Sequence, residues 1–102
     1  MKHSQPSVKV ARALLAEPER EFWGYQLTKA VGYPSGVVYP VLGRMVKAGW
    51  LVARQEPKDV RPRPARKYLT LTEQGRTELA GWLKKVDDDP RFFSLGPDGA
   101  PR

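Results

Sequence analysis

Six basic residues fall between Arg54 and Lys67 (Arg54, Lys58, Arg61, Arg63, Arg66 and Lys67) against two acidic ones, Glu56 and Asp59. Guanidinium and ammonium groups gathered in this way neutralise phosphates, so the stretch has the composition of a phosphate-contacting element. Pro57, Pro62 and Pro64 keep it extended and unable to pair as a central strand, which makes it a surface flap. Arg63, held between two prolines, has the form of a side chain for a narrow minor groove. A second group lies upstream, in Ser35, Gly36, Val37, Tyr39, Pro40, Gly43, Arg44 and Lys47. Arg44 carries a fork that fits the two acceptors of a guanine, and Lys47 can reach a phosphate or a base edge. Tyr39 can stack on sugar or donate to phosphate, and Ser35 with the amides after it can hold a phosphate at a helix start. Each has an ordinary counterpart: a solvated helix face, a half-buried tyrosine, a capping serine. The local charge excess favours contact.

The whole chain agrees with that sign. Its 18 Lys and Arg against 11 Asp and Glu give +7 and a sequence pI near 10.0, which suits a polyanionic partner, most simply nucleic acid. At 102 residues it has material for one small domain, whose stability a dimer interface would raise. There is no cysteine, and the lone histidine, His3, stands near the terminus. With no phosphate loop and no carboxylate pair in an apolar setting, no group is placed to act as base or nucleophile, and neither enzyme nor cofactor is expected. Asp87, Asp88 and Asp89 read as a solubilising triplet rather than a metal site. No apolar run approaches the roughly 20 residues that span a bilayer, and no signal peptide is visible, so the expected location is cytoplasmic.

Residue periodicity supplies the elements that position these groups. Residues 1–6 are expected to be disordered, with Ser7 capping a helix to about Ala16. Phe22 and Trp23 form a very short strand, and a second helix runs from about Tyr25 to Val31, leaving Tyr25, Gln26, Thr28 and Lys29 towards solvent or a partner. Gly32 and Pro34 make a turn, and Ser35 caps a third helix, from Gly36 to Ala48, with Val38, Leu42, Met45 and Val46 as its inward stripe. Strands follow at Trp50–Glu56 and Arg66–Leu71, the latter with Tyr68 and either Leu69 or Leu71 inward. Thr72 caps a last helix from Glu73 to about Val86, striped by Leu79, Trp82, Leu83 and Val86. Residues 87–102 resemble a disordered tail, although Phe92, Phe93 and Leu95 are unusual there. The fold class is mainly α with a small β-hairpin wing, a winged helix-turn-helix domain over residues 7–86.

Three short motifs then resemble the PadR family of transcriptional regulators: Trp23-Gly24-Tyr25-Gln26-Leu27; Pro34-Ser35-Gly36-Val37-Val38-Tyr39-Pro40-Val41-Leu42; and Arg66-Lys67-Tyr68 followed by Leu71-Thr72-Glu73-Gln74-Gly75. The sequence departs from the family pattern at Val37, Gly43 and Leu69. The resemblance, from about Val8 to Leu83, implies a repressor that binds a duplex DNA operator as a homodimer, with the third helix in the major groove and the wing beside it. It places the DNA contacts on Tyr25, Gln26, Ser35, Gly36, Val37, Tyr39, Pro40, Gly43, Arg44, Lys47, Lys58, Arg61, Arg63, Arg66 and Lys67. The dimer interface falls to the first and last helices, through Val8, Ala11, Leu15, Leu79, Trp82, Leu83 and Val86. Some family members respond to phenolic or drug-like molecules, which makes a small aromatic effector near Trp23, Trp50 and Trp82 a further option, although core tryptophans are much commoner. The rival readings are a winged helix used as a protein-interaction module and an architectural DNA binder without a regulatory role.

Overall fold

The chain enters its first helix three residues earlier than its hydroxyl pattern suggests. In the computed structural model, which describes residues 1–59 and 61–87, α1 spans Gln5–Ala16 and is capped by Ser4, whose hydroxyl accepts the Ser7 amide hydrogen at 3.2 Å. Pro6 sits in the first turn, where a missing N–H costs nothing. Ser7, the expected cap, is buried inside the helix. The segment before it, expected to be disordered, is helical from Gln5 and tied to the far end of the chain. His3 stacks on Trp82 at 4.3 Å and hydrogen-bonds the Trp82 carbonyl at 2.8 Å, while the Trp82 indole donates to the Met1 carbonyl at 2.8 Å.

The remaining elements are β1 (Phe22–Trp23), α2 (Gly24–Val31), α3 (Ser35–Lys47), β2 (Leu51–Gln55), β3 (Lys67–Leu71) and α4 (Glu73–Asp87). Four helices thus accompany a three-stranded antiparallel sheet of order β1-β3-β2, the winged-helix arrangement. Gly32 ends α2 at φ 78, a left-handed conformation that glycine adopts without strain. Pro34, not Ser35, is the N-cap of α3: its carbonyl accepts from Val37 and Val38 at 2.9 and 3.1 Å, and Ser35 is already helical. At the other end Gly49, at φ 83, closes a paired turn in which Gly49 N–H bonds Val46 and Trp50 N–H bonds Met45.

Helix α1 is the central strut. Val8, Val10, Ala11 and Leu14 are buried, and the helix packs on α2, α3 and α4. The inward residues of α3 are Val38, Val41, Leu42 and Met45, with Val46 at the surface, so the buried stripe turns one residue away from the expected one. In β3 the pleat settles another expectation: Leu69 and Leu71 are both buried, which turns Tyr68 to the outer face. Thr72 does cap α4, accepting the Gly75 amide hydrogen at 2.8 Å. Of the tail expected at 87–102, Asp87 is instead the last residue of α4, and 88–102 lie outside the described residues.

Two glycines separate packing from helix propensity. A Cβ on Gly75 would collide with the carbonyl oxygen of Trp50, whereas a Cβ on Gly43 would meet nothing within 4 Å. Gly75→Ala is therefore expected to lose about 1–3 kcal/mol of stability. Gly43→Ala should gain roughly 0.5–1 kcal/mol, because alanine is the better helix former. Urea unfolding midpoints of the two variants check both signs.

Candidate nucleic-acid interface

The four inward residues of α3 fix which side of the helix faces out. Ser35, Gly36, Val37, Tyr39, Pro40, Gly43, Arg44 and Lys47 are all exposed, Val37 by 37% and Tyr39 by 43%. No residue of α3 is acidic, and Arg44 and Lys47 lie in its last turn, where they also complement the helix dipole. Pro40 has no N–H for the Gly36 carbonyl, a loss confined to the second turn. The Tyr39 ring lies over the start of α2, and a Cβ on Gly24 would stand 3.0 Å from its Cε1, so a side chain there would have to push the ring aside. Tyr25 and Gln26 are exposed beside it, and the Lys29 ammonium lies 5.3 Å from the Tyr25 ring centroid.

Helix and sheet meet at a surface pocket of about 360 Å³ lined by Gly24, Tyr39, Leu42, Gly43, Val46, Lys67 and Leu69. Lys67, at the root of the flap, thus stands next to Tyr39 and Gly43, on one continuous surface with α3. The flap forms its own open concavity, of about 600 Å³, lined by Gln55, Lys58, Asp59, Arg61, Arg63, Pro64 and Ala65. Lys58 and Arg61 are exposed there.

Arg54, Arg63 and Arg66 are engaged within the chain, and Arg61 is drawn in beside them. Glu56, at the end of β2, accepts from both Arg63 terminal nitrogens at 2.8 and 3.2 Å, from the Arg66 amide at 2.9 Å and from the Tyr68 hydroxyl at 3.4 Å. Arg61 approaches it at 3.5 Å. The Arg63 bonds, and then the Arg66 amide, hold the Glu56 carboxyl down to about 2. Arg66 lies 3.7 Å from the Trp23 ring centroid, and Arg54 lies 4.7 Å from that of Tyr68. Arg54 also forms a two-pronged pair with Glu21, at 3.0 and 2.8 Å, whose hydrogen bond lowers the Glu21 pKa and raises that of Arg54. These contacts lie on the outer face of the sheet, the face of Trp23, Arg54 and Tyr68. Arg63, expected at a minor groove, and Arg66, expected at phosphate, are both only partly exposed.

Sequence reasoning missed Glu56, Glu21 and Tyr68 as members of this region. Glu56 offered one signal, a lone acid at a strand end followed by a run of cations. The interface residues expected on the first and last helices are redirected more strongly. Val8, Ala11, Leu79, Trp82 and Val86 are buried within a single chain, because α1 and α4 pack on each other. Leu15 and Leu83 keep some exposure but belong to opposite ends of that pair, since His3 meets Trp82 at one end and Glu19 meets Arg76 at the other. Trp50 and Trp82 sit 6.2 Å apart in the core, while Trp23 lies on the outer face of the sheet under Arg66.

The model of the PadR-like family of transcriptional regulators matches residues 13–81. Solved structures share the fold. The smu.1704 protein of Streptococcus mutans UA159 superposes with a TM-score of 0.65 at 21% identity, over 91% of this chain and 90% of that one. A PadR family transcription regulator from Clostridium difficile R20291 gives 0.60 at 21% identity, over 83% and 96%. A PadR-like transcription factor from Bacteroides fragilis gives 0.59 at 17%, over 80% and 84%. No curated protein sequence matches the chain. Because the family match takes in the end of α1, all of α2, α3 and the sheet, and most of α4, which is more than half of the chain, the chain belongs to the PadR-like family of transcriptional regulators, which are not enzymes.

Proposed function

We propose that this regulator binds duplex DNA, with α3 in the major groove and the flap between β2 and β3 against the neighbouring backbone, and that it represses transcription by occupying an operator. The observation that carries this reading is the single surface on which the acid-free outer face of α3 adjoins Lys67. Arg44 would read a guanine and the exposed Val37 a thymine methyl, while Lys47, Lys58, Arg61 and Lys67 contribute phosphate contacts. Tyr25, Gln26, Ser35, Gly36, Tyr39, Pro40 and Gly43 shape the rest of that surface. Such work belongs in the cytoplasm, and no helix among the described residues is long and apolar enough to cross a membrane.

A homodimer on a two-fold operator is the assembly this reading carries, since paired half-sites supply the length of sequence that one small module does not read. Residues other than the five buried ones must then meet across the two-fold axis. Trp82→Ala is expected to destabilise each chain, by about 3–5 kcal/mol, rather than only to separate two chains.

Fluorescence anisotropy with a duplex from upstream of the gene and a scrambled one tests the DNA reading. Binding to the upstream duplex should survive competitor DNA and weaken about 1,000-fold or more between 50 and 200 mM salt if six or more phosphates are neutralised. Arg44→Ala should cost about tenfold or more in affinity and narrow the gap between the two duplexes. A flat salt response, or no preference between the duplexes, would count against a sequence-specific regulator.

A further inference from the structure

The flap carries one acidic residue whose position runs against the charge of its surroundings. Among the described residues, the last backbone bond of the β2-β3 ladder is Glu56 N–H to the Arg66 carbonyl at 2.9 Å, and no backbone–backbone bond closes the flap beyond it. Among the described residues, side chains then tie the returning arm to the departing one: Gln55 Nε2 donates to the Arg66 carbonyl at 3.3 Å, and the Glu56 carboxylate makes the remaining bonds. It takes the Arg66 amide and the Arg63 guanidinium from the returning arm, with Arg61 nearby and Tyr68 below. Its side chain is only 10% exposed and Arg63's 29%, so the pair is screened far less than a surface ion pair. Arg63 is thereby turned inward, whereas Lys58 and Lys67 remain outward and Arg61 stays exposed at the edge of the pair.

We propose that Glu56 is a positioning residue for nucleic-acid binding, a carboxylate that strengthens the hold on a polyanion by bracing the flap through Arg63 and the Arg66 amide. The inference rests on the DNA-binding reading and deepens it. It assigns Arg63 to the brace instead of the groove. A preformed flap loses less conformational freedom on binding, and that gain outweighs the repulsion of one nearly enclosed negative charge. The charged and titratable groups facing the carboxylate are Arg61, Arg63 and Tyr68, with Arg54 acting from further along the sheet.

The sign of one substitution separates bracing from simple charge. Glu56→Gln removes a negative charge from a basic surface, and on charge alone it must tighten DNA binding. The brace requires the opposite, a weakening of about tenfold, with Glu56→Asp recovering part of it. Arg63→Gln should weaken binding similarly, add little on top of Glu56→Gln, and leave the salt slope unchanged. A direct phosphate contact by Arg63 would instead reduce that slope by about one. Tighter or equal binding by Glu56→Gln, or additive losses with a reduced slope for Arg63→Gln, overturns the proposal.

The brace is also readable without DNA, which keeps its failure distinct from that of the DNA reading. With the carboxyl held at about 2 against an ordinary 4.5, its contribution to stability is complete above about pH 4.5 and is lost as pH falls towards 2. In the unaltered protein the Arg66 amide resonance should titrate with a midpoint near 2. Glu56→Gln should abolish that titration and lower the protection of the Arg66 amide against hydrogen exchange. An Arg66 amide indifferent to both pH and substitution overturns the brace whether or not DNA binds.

Discussion

The placement of α3 against the sheet depends on the joint at Gly49 and Trp50. Gly49 takes a left-handed conformation that lets the chain leave α3 and enter β2 within one turn, and Trp50 N–H returns to the Met45 carbonyl. The Trp50 carbonyl accepts the Thr72 amide, the Thr72 hydroxyl donates to the Gly49 carbonyl at 2.8 Å, and the Trp50 indole donates to Glu78 of α4 at 2.5 Å. The first turn of α4 approaches so closely that Gly75 has no room for a Cβ. One small joint therefore sets the angles among α3, β2 and α4. Because β2 and β3 carry the flap at their far end, it also fixes where the flap stands relative to α3.

The three short motifs converge in space on contacts of this kind. Gly24 from the first accommodates Tyr39 from the second, and Trp23 from the first receives Arg66 from the third. Thr72, again from the third, caps α4 while bonding the end of α3's turn. Their spacing in sequence reflects these contacts as much as any contact with a partner. That explains how Leu69 can stand in the third motif without disturbing the fold, since its position is an inward one, buried against the core.

Charge is divided by the same logic. Net charge makes the flap basic, yet part of that charge is held on the outer face of the three-stranded sheet. There Arg54 on Tyr68 and Arg66 on Trp23 lay flat cations on aromatic rings, with Glu21 and Glu56 fixing the chain around them. On α3 and the flap, the exposed cations without a partner among the described residues are Arg44, Lys47, Lys58 and Lys67, with Arg61 exposed but beside Glu56, fewer than the sequence count suggests.

The sequence by itself determined the order and type of every described element. The apolar periods of 3.6 and 2 and the turn residues Gly32, Pro34 and Gly49 are local signals that need no partner to be read. It also determined the exposed face of α3, because the inward stripe leaves Ser35, Tyr39, Gly43, Arg44 and Lys47 outside. Cap positions were ambiguous by a few residues, at Ser4 against Ser7 and Pro34 against Ser35, since more than one residue nearby is suited to the role. Only the tertiary structure decided which cations are free and which apolar faces are used up. An arginine looks the same in sequence whether its partner is phosphate, a ring or a carboxylate, and Arg63 meets Glu56 only because two strands pair. An amphipathic stripe likewise does not say whether it meets its own chain or a second copy. Val8, Ala11, Leu79, Trp82 and Val86 are buried within one chain because α1 and α4, far apart in sequence, pack together, a long-range contact that no local pattern encodes.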